Sequence, residues 1–481
     1  MPVFLHDTMS REKRPLLPKP GRDVYGMYCC GPTVYGPAHI GNFRTFTVQD
    51  VLRRTLEIAG LKVKHVRNIT DVDDKTIRGA QAASQTLGDF TKKWTDKFHA
   101  DCTALGLLPP HVEPSAVVHI PQQVAMIKAL VDRGHAYVAK DGSVYFKVCS
   151  CPDYGKLNHI DFSKLETQSE NSAGEANDAD EYERESASDF ALWKSRKPED
   201  GANFWPSPWG EGRPGWHIEC SAMAQDFLGP SIDIHCGGID LVFPHHENEI
   251  AQSECCNHAP FATHWFHVEH LHVDGKKMSK SLGNFYTLRD LVEKGFSGRE
   301  VRALIAQSHY RMPLNFTLEG LKGVRQALFR VDQLWDRLEM GADAGEESFD
   351  VDQIHTSFME ALNQDLNFPQ AFAVLFDMVR DVNKGLDQKK ISKESQKRIL
   401  ELLQRFDAIL GCLKKEEEPI PGSILDLVEA RQKARKERRF QDADSIRNEI
   451  TLLGYELEDV TNGTKVKKSH PCNIQKSTAI D

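Results

Sequence analysis

The chain has 481 residues, a length that at roughly 150 residues per domain predicts about three domains. Hydrophobic residues make up 40% and charged residues 27% of it, which is typical of a globular protein and excludes collagen-like, mucin-like and wholly disordered chains. The formal net charge of −10 argues against a dedicated nucleic-acid-binding protein, which is normally basic, although a global sum does not exclude a local basic patch.

The eleven cysteines and the scarcity of apolar runs restrict the expected compartment. The cysteine count is odd, and residues 1–17 contain Asp7 and Glu12 without an apolar run, so we expect neither a secretory leader nor a transit peptide. No stretch of about 20 apolar residues occurs, so we expect no membrane span. We therefore expect a cytoplasmic protein, in which clustered Cys and His residues indicate a metal or catalysis more often than disulfides.

The first part of the chain alternates strand and helix patterns. Residues 23–30 predict a buried strand, and a Gly- and Pro-rich turn at 31–42 leads into an amphipathic helix. Residues 61–69 predict a second strand that ends at TDVDD, residues 70–74, whose carboxylates can cap a helix beginning near Lys75. This alternation predicts an α/β fold with a parallel sheet, which binds ligands at the carboxyl ends of its strands.

The middle of the chain is less regular. Residues 167–188 are rich in Ser, Glu, Asp and Asn and predict a mobile surface loop without chemistry. Residues 204–220 predict an irregular segment that feeds a helix near Ile218, and residues 233–256 predict a short strand, a Gly-Gly turn and another helix.

The remainder is mainly helical. Apolar residues recur at three- and four-residue spacing over 299–309, 317–340, 351–385 and 391–411. After the charged and Pro-containing linker at 414–422, we expect a smaller unit made of a helical hairpin and short strands around YELED and TKVKK.

Two short motifs have the chemistry to bind phosphate. His39 and Asn42 lie three residues apart at the start of the first predicted helix, so both point toward the helix N-terminus, which attracts anions. The alternative is a helix cap with an incidental histidine. Lys277 and Lys280 lie in GKKMSKSLGN and can neutralise the charge that develops on a polyphosphate; the alternative is a solvated basic loop.

Four positions offer metal ligands. They are Cys29 or Cys30 at the end of the first strand, Cys220, and the pair His245 and Glu249. A His and a Glu four residues apart share one helical face, as metal ligands on a helix must. The alternatives are a buried cysteine that acts as a small hydrophobe and a His-Glu pair that forms a surface hydrogen bond.

HIGN and KMSKS, with an α/β pattern between them, resemble the two signatures of class I aminoacyl-tRNA synthetases. Further segments are similar to the cysteinyl-tRNA synthetase family from end to end. They are CCGPTVYGPAHIGNFRTF, VRNITDVDDK, DFALWK, PGWHIECSAM, DIHCGGIDLVFPHHENEIAQS, ALNQDLNFPQAF and ARQKARKERRFQDADSIRNEI.

The resemblance implies a Rossmann-type catalytic domain with a connective insertion, a helical bundle and a small C-terminal anticodon-binding domain. The expected boundaries are 1–125 for the first Rossmann half with HIGN, 126–215 for the insertion, 216–270 for the second half with the zinc ligands, 271–315 for the KMSKS loop and stem-contact region, 316–415 for the helical bundle and 420–481 for the anticodon-binding domain.

The implied activity is ATP-dependent activation of L-cysteine and transfer of the cysteinyl group to tRNA(Cys). The resemblance implies one zinc held by Cys30, Cys220, His245 and Glu249; adjacent strand residues face opposite ways, so Cys29 would point elsewhere. Zinc suits a thiol substrate because a hydrophobic or hydrogen-bonding pocket separates close analogues by only about a hundredfold, whereas zinc prefers thiolate to alcohol.

The resemblance also implies contacts between the amino acid and Thr33, Thr70, Trp216 and His235, with Trp216 as an apolar wall. Thr70 has the alternative of simply ending a strand. Where the family usually has DIHGGG this chain has DIHCGG, so we expect Cys236 at a turn, where it can alter the local loop.

For catalysis, the resemblance implies roles for His39, Asn42, Lys277 and Lys280, of which His39, Asn42 and Lys280 contact ATP. Mg²⁺ accompanies the ATP, although the sequence contains no dedicated magnesium cage. TDVDD can be mistaken for one, but a helix cap is the preferred interpretation of its carboxylates.

Six basic residues within nine positions of the tail predict phosphate neutralisation, with a solvated helical face as the alternative. They are Arg431, Lys433, Arg435, Lys436, Arg438 and Arg439. By resemblance, Arg435, Asp444 and Asp459 read anticodon bases, and Phe440 supplies a stacking ring where the family often has Trp. The family also implies a monomer.

Two other functions remain open at this point. One is a ligase that transfers cysteine to an amino-sugar acceptor; enzymes of that kind lack most of the tail region that this chain keeps. The other is a non-catalytic, zinc-containing tRNA-binding protein, against which the intact HIGN, KMSKS and ligand positions argue.

Overall fold

The computed structural model describes residues 2–19, 21–159, 189–278, 283–415, 421–460 and 463–468. The loop predicted at 167–188 and the side chain of Lys280 lie outside the described residues. The chain divides into two compact units, Met1–Lys414 and Lys415–Asp481. Within the described ranges, no helix is long and apolar enough to cross a membrane.

The N-terminal part of the chain contains a small hairpin and the first two strands of the parallel sheet that we call the catalytic sheet. Its elements are β1 (Phe4–Asp7), β2 (Glu12–Pro15), β3 (Tyr25–Cys29), α1 (Ile40–Ile58), β4 (Val63–Arg67), α2 (Asp74–Ala82) and α3 (Leu87–Ala104). Every residue of β3 is buried, which explains its continuous apolar pattern. The β1-β2 hairpin is an addition to the predicted elements.

The insertion forms a sheet of its own. Its elements are α4 (Ile120–Asp132), β5 (Ala136–Val138), β6 (Val144–Phe146), β7 (Phe190–Ser195) and β8 (Gly212–Pro214). The strands follow one another in the order β5-β6-β7-β8, and each pair is antiparallel. Trp193 of β7 lies fully buried in the core of this region.

The second half completes the catalytic sheet with α5 (Trp216–Leu228), β9 (Ile232–Gly238), α6 (Glu247–Asn257) and β10 (Ala262–Val268). The strand order is β10-β9-β3-β4, and all three pairings are parallel. The predicted α/β fold with a parallel sheet is therefore confirmed. In such a sheet the carboxyl ends of the strands lie along one edge, where ligands bind.

The Gly-Gly turn that the sequence predicts within residues 233–256 is wrong. Gly237 and Gly238 are the last residues of β9. A Cβ atom on Gly237 would lie 2.5 Å from Cε1 of His246, so glycine is required here by close packing of an imidazole ring rather than by a turn.

The rest of the first unit is mostly helical. Its elements are β11 (Leu271–Val273), β12 (Lys276–Lys277), α7 (Leu288–Glu293), α8 (Gly298–Ala306), β13 (Leu314–Phe316), α9 (Leu318–Met340), α10 (Val351–Asn363), α11 (Phe368–Asp387) and α12 (Lys393–Leu410). The pattern at 351–385 forms two helices because Asp365 and Leu366 have positive φ angles and Asn367 caps a new helix.

The second unit contains α13 (Gly422–Lys436), α14 (Phe440–Leu452), β14 (Tyr455–Val460) and β15 (Gly463–Lys468). The two strands pair antiparallel. The predicted helical hairpin followed by short strands is confirmed, and we call residues 422–452 the basic hairpin.

Candidate active site and metal centre

Four polar side chains from different parts of the catalytic sheet meet in one buried cluster, which we call the metal-ligand cluster: Cys30, Cys220, His245 and Glu249. Cys30 follows β3, Cys220 lies on α5 and Glu249 on α6, while His245 lies in the irregular turn that leads into α6. Their ligand atoms all lie within 4.8 Å of one another. The structure thus brings the four predicted positions together.

The cluster has the spacing that tetrahedral zinc requires. The Sγ atoms of Cys30 and Cys220 are 3.9 Å apart, and Zn–S bonds of about 2.3 Å at tetrahedral angles would place them about 3.8 Å apart. Cys30 Sγ lies 3.6 Å from Oε1 of Glu249, close to the expected separation of about 3.5 Å. His245 Nε2 lies 3.0 Å from the same oxygen, slightly below the expected value of about 3.3 Å.

The protonation of the cluster also suits a cation. Burial by itself raises the pKa of Glu249, but His235 and His245 lower it to about 2. The hydrogen bond from Cys30 lowers the pKa of the Cys220 thiol to about 6, and burial raises that of Cys30. A metal ion would take the place of the protons that these donors now share.

The structure decides between the two adjacent cysteines. Cys30 packs with Cys220 in one apolar cluster, whereas Cys29 packs with Cys236 in the core on the other side of the sheet. This is the alternation that neighbouring strand residues show.

Histidines that the sequence analysis missed surround the cluster. Cys30 Sγ lies 3.4 Å from Nε2 of His246, and Cys30, His235, His246 and Glu249 form a second set with metal-ligand spacing. His246 Nδ1 lies 2.7 Å from Nε2 of His267, and His217 Nδ1 lies 3.0 Å from Nδ1 of His245. The HH pair in PHHENE was the available signal, but spacing alone does not tell which ring faces the cluster.

The four candidate contacts to the amino acid are linked, directly or through a neighbouring residue, to the metal-ligand cluster. Thr33 and Thr70 form a parallel bridge between their backbones. The hydroxyl of Thr70 donates to Oε2 of Glu219 at 3.0 Å. Trp216 remains 37% exposed and stacks over His245 with ring centroids 4.3 Å apart. A partly exposed indole ring next to a ligand of the cluster is suited to form an apolar wall for the substrate.

His235 has a well-defined protein partner. Its Nε2 lies 2.9 Å from Oε2 of Glu249, and its ring stacks on Trp265 with centroids 4.7 Å apart. In this arrangement His235 orients the carboxylate of the metal-ligand cluster, as partners of metal ligands commonly do. A contact between His235 and substrate stays a prediction.

Cys236 lies in the middle of β9 and not at a turn, contrary to expectation. It is fully buried and opposite Cys29 in the register of the sheet, on the face away from the metal-ligand cluster. Because neighbouring strand residues alternate, His235 points to the cluster and Cys236 away from it.

The HIGN segment forms the start of α1. The amide of Asn42 donates to Nδ1 of His39 at 3.1 Å, and the amide of His39 donates to Oδ1 of Asn42 at 3.1 Å. The cap that we considered as an alternative is therefore present. It leaves the anion-attracting helix N-terminus in place, so the cap and the phosphate role are compatible.

The residues around KMSKS lie against HIGN. A Cβ atom on Gly41 would be 3.3 Å from Cε of Met278, and Thr287 bridges to His39 through the backbone. Lys277 is exposed in β12. The two motifs, more than 230 residues apart in sequence, thus lie side by side in the structure.

The carboxylates of TDVDD have three different partners. Asp73 caps α2 in a capping box, which confirms the predicted cap. Asp71 accepts a hydrogen bond from the amide of Val117 at 2.9 Å. Asp74 pairs with Lys194 at 3.0 Å and with Arg213.

In the second unit, the side chains of Arg435, Phe440 and Asp444 are exposed. Asp459 lies in β14, where its backbone pairs with Thr464. Arg431, one of the six basic residues from which phosphate neutralisation is predicted, is only 4% exposed. It lies on the buried stripe of α13 together with Ile424, Val428 and Ala434.

The comparisons with known proteins begin with the fold. Most of the chain shares its architecture with a Mycobacterium tuberculosis methionyl-tRNA synthetase in complex with methionyl-adenylate, at a TM-score of 0.58 and 14% identity over 81% of this chain and 90% of that chain. LeuRS of Agrobacterium radiobacter K84 in a ternary complex matches at a TM-score of 0.59 and 13% identity, over 83% and 85% of the two chains. The chain has the fold of class I aminoacyl-tRNA synthetases.

Sequence comparisons identify the family. The model for the tRNA synthetases class I (C) catalytic domain matches residues 19–326, and that for the DALR domain matches residues 357–414. A cysteine-tRNA ligase of Opitutus terrae is 49% identical over 96% of this chain and 98% of its own length. That of Chlamydia abortus is 46% identical over 97% and 98%. The chain belongs to the cysteine-tRNA ligase family.

Proposed function

We propose that this chain activates L-cysteine with ATP and transfers the cysteinyl group to the 3′ end of tRNA(Cys). The observation that carries this function is the metal-ligand cluster, in which Cys30 directly follows β3. The cluster offers a site for a thiol, and HIGN, which follows Cys30 in the sequence, offers a site for phosphate. The family membership and the full-length similarity to cysteine-tRNA ligases support the same activity.

Cys30, Cys220, His245 and Glu249 would hold one zinc ion, since two thiols, an imidazole and a carboxylate at tetrahedral spacing are ligands typical of zinc. Zinc bound there supplies a borderline-soft Lewis acid that binds thiolate far better than alcohol. Trp216, whose ring stacks on His245, would form one wall of the pocket for cysteine. Thr33 and Thr70, joined through their backbones, would contact the amino acid.

The reaction needs no protein nucleophile. In the first step the cysteine carboxylate attacks the α-phosphorus of ATP and pyrophosphate leaves; in the second a terminal ribose hydroxyl of tRNA takes the cysteinyl group and AMP leaves. His39 and Asn42 hold the phosphates at the start of α1, and Lys277 and Lys280 neutralise the departing pyrophosphate. Mg²⁺ enters with ATP. Catalysis therefore depends on positioning and charge stabilisation.

In the tail, we assign recognition of the anticodon to Arg435, Phe440, Asp444 and Asp459. Exposed guanidinium and aromatic groups suit unpaired bases, which stack on rings and donate or accept hydrogen bonds at their edges. We propose the domain boundaries given above, with the helical bundle at 316–415 contacting tRNA.

We also propose that the protein acts as a monomer in the cytoplasm. All cysteines among the described residues are free thiols, which fits a reducing compartment. Light scattering of the purified protein measures the oligomeric state; a mass near 54.3 kDa is expected, and a multiple of it would contradict the monomer.

The acceptor distinguishes the proposed function from cysteine transfer to an amino sugar. Purified protein is supplied with labelled cysteine and ATP and offered either transcribed tRNA(Cys) or an amino-sugar acceptor. We expect label on tRNA only. Label on the amino sugar, or cysteine activation with transfer to neither acceptor, would contradict the assignment. Tight tRNA binding without cysteine activation would indicate a non-catalytic tRNA-binding protein.

A further inference from the structure

Two buried cations of the insertion converge on one carboxylate of the catalytic sheet region. Nζ of Lys194, on β7, lies 3.0 Å from Oδ2 of Asp74. The guanidinium of Arg213, on β8, hydrogen-bonds to the other oxygen of the same carboxylate. The side chains of Lys194 and Arg213 are only 8% and 6% exposed. The insertion is therefore joined to the start of α2 by charge rather than by apolar packing alone.

A second carboxylate, that of Asp200, joins this ion-pair network, so that its two cations are balanced by two carboxylates. Nε of Arg213 lies 3.0 Å from Oδ1 of Asp200, and the amide of Lys197 donates to the other oxygen of Asp200 at 2.7 Å. Burial by itself raises the pKa of Asp74, but Lys194 and Arg213 lower it below its usual value. Buried charges are tolerated only when such partners are present, and loss of one partner leaves a costly unpaired charge.

A short and closely packed backbone segment joins Arg213 to Trp216, the proposed wall of the amino-acid pocket. It precedes Trp216 by three residues, and between them the amide of Gly215 donates to the carbonyl of Leu192 at 2.8 Å. A Cβ atom on Gly215 would lie 2.0 Å from the carbonyl oxygen of Ala191. The segment from Arg213 to Trp216 therefore has little room to shift against β7.

The other end of the network also reaches the pocket. Asp74 is the first residue of α2 and lies four residues after Thr70, whose hydroxyl bonds to Glu219 of α5. The same helix α5 begins at Trp216 and carries Cys220. The segment 70–74 thus fixes α5 directly through Glu219 and, through the insertion, fixes the residues that lead into it.

We propose that Asp74 is a positioning residue for amino-acid selection: by pairing with Lys194 and Arg213 it holds the insertion so that Trp216 stays over His245. The insertion then serves as a scaffold for the thiol-binding pocket. This inference rests on the proposed function, since it concerns the pocket for cysteine.

The test uses the full chain with Asp74→Asn and Lys194→Met, assayed by cysteine-dependent exchange of pyrophosphate into ATP. We expect either substitution to raise the KM for cysteine, Asp74→Asn by about tenfold, which lies within the range of couplings measured between contacting residues. The KM for ATP and the zinc content should not change. Asp96→Asn, an equivalent change at an exposed ion pair on α3, is the matched control.

A purely structural role would lower the amount of active protein without moving the KM for cysteine, and that result would overturn the inference. If Asp74→Asn does not fold, Lys194→Met decides, because it leaves Asp74 paired with Arg213; an unchanged KM for cysteine would then refute the positioning role. Absence of exchange in the unmodified protein would overturn the proposed function itself, and this inference with it.

Discussion

The side chains of the metal-ligand cluster are at most 6% exposed, whereas Arg435, Phe440 and Asp444 of the basic hairpin lie at the surface. Both regions are made of polar and charged residues. In the cluster each donor is fixed by a neighbour, as His235 fixes Glu249 at 2.9 Å. On the hairpin, the named groups are accessible from solvent. Polar and charged side chains are therefore buried where they would bind a small thiol and exposed where they would bind a large polyanion.

This difference predicts how substitutions act. A buried ligand set fails as a unit when one member is lost, because the remaining charges and thiols have no solvent to replace it. Exposed groups contribute separately, each by a modest amount that falls as salt is raised. Three substitutions test this contrast.

The largest effect is expected for Cys30→Ser. The hydroxyl is a poor zinc ligand, so zinc content and cysteine activation should fall together. We expect at least about a hundredfold loss of cysteine-dependent exchange, since even changes in the partners of ligands cost 10- to 100-fold in metal affinity. Metal analysis and exchange assays check this. Full zinc content with full activity would show that Cys30 is not a ligand; Cys29→Ser, on the other face of the sheet, is the control.

An intermediate effect is expected for Arg435→Ala. Loss of one base contact should lower charging of tRNA(Cys) by about tenfold while leaving cysteine-dependent exchange intact. Arg439→Ala is the matched comparison: this arginine is also exposed, but the family resemblance assigns it no anticodon base, so a smaller loss of charging is expected. If Arg435→Ala also lowered cysteine-dependent exchange, the hairpin would not be limited to tRNA recognition, and the proposed division of function would be wrong.

The smallest effect on function is expected for Cys236→Ala. Because this residue faces Cys29 and the apolar core, zinc content and the KM for cysteine should stay the same. Loss of a buried thiol should lower the free energy of unfolding by about 1 kcal/mol, which thermal denaturation can measure. A changed KM for cysteine would show that the altered DIHCGG segment acts on the pocket after all.

The contrast between the two regions also explains what could be predicted from the sequence. Ligand chemistry and spacing mark Cys220, His245 and Glu249, together with one of the two adjacent cysteines, as candidate ligands. The family resemblance favours Cys30, which lies with the other three in the structure. The role of His235 as a partner of Glu249, and the proximity of His246 and His267, depend on how β9, β10 and α6 pack. No local pattern reports such contacts.

Other differences have local physical causes. The Gly-Gly pair predicts a turn, since glycine is common in turns, yet Gly237 packs against the ring of His246. A count of basic residues groups Arg431 with its neighbours, although it lies at the spacing of the buried stripe of α13; a charge count does not take helical periodicity into account. The antiparallel sheet of the insertion is made of strands of three to six residues, too short to give a clear period.

The central claim is that a metal in the buried cluster selects the substrate by its thiol. Its most direct test is exchange of pyrophosphate into ATP with cysteine and with serine, in zinc-loaded protein, after chelation, and after zinc is restored. We expect zinc-loaded protein to prefer cysteine by far more than the roughly hundredfold that pocket shape alone provides, and we expect chelation to abolish cysteine-dependent exchange until zinc returns. Full exchange with cysteine in metal-free protein, or comparable exchange with serine in loaded protein, would contradict it.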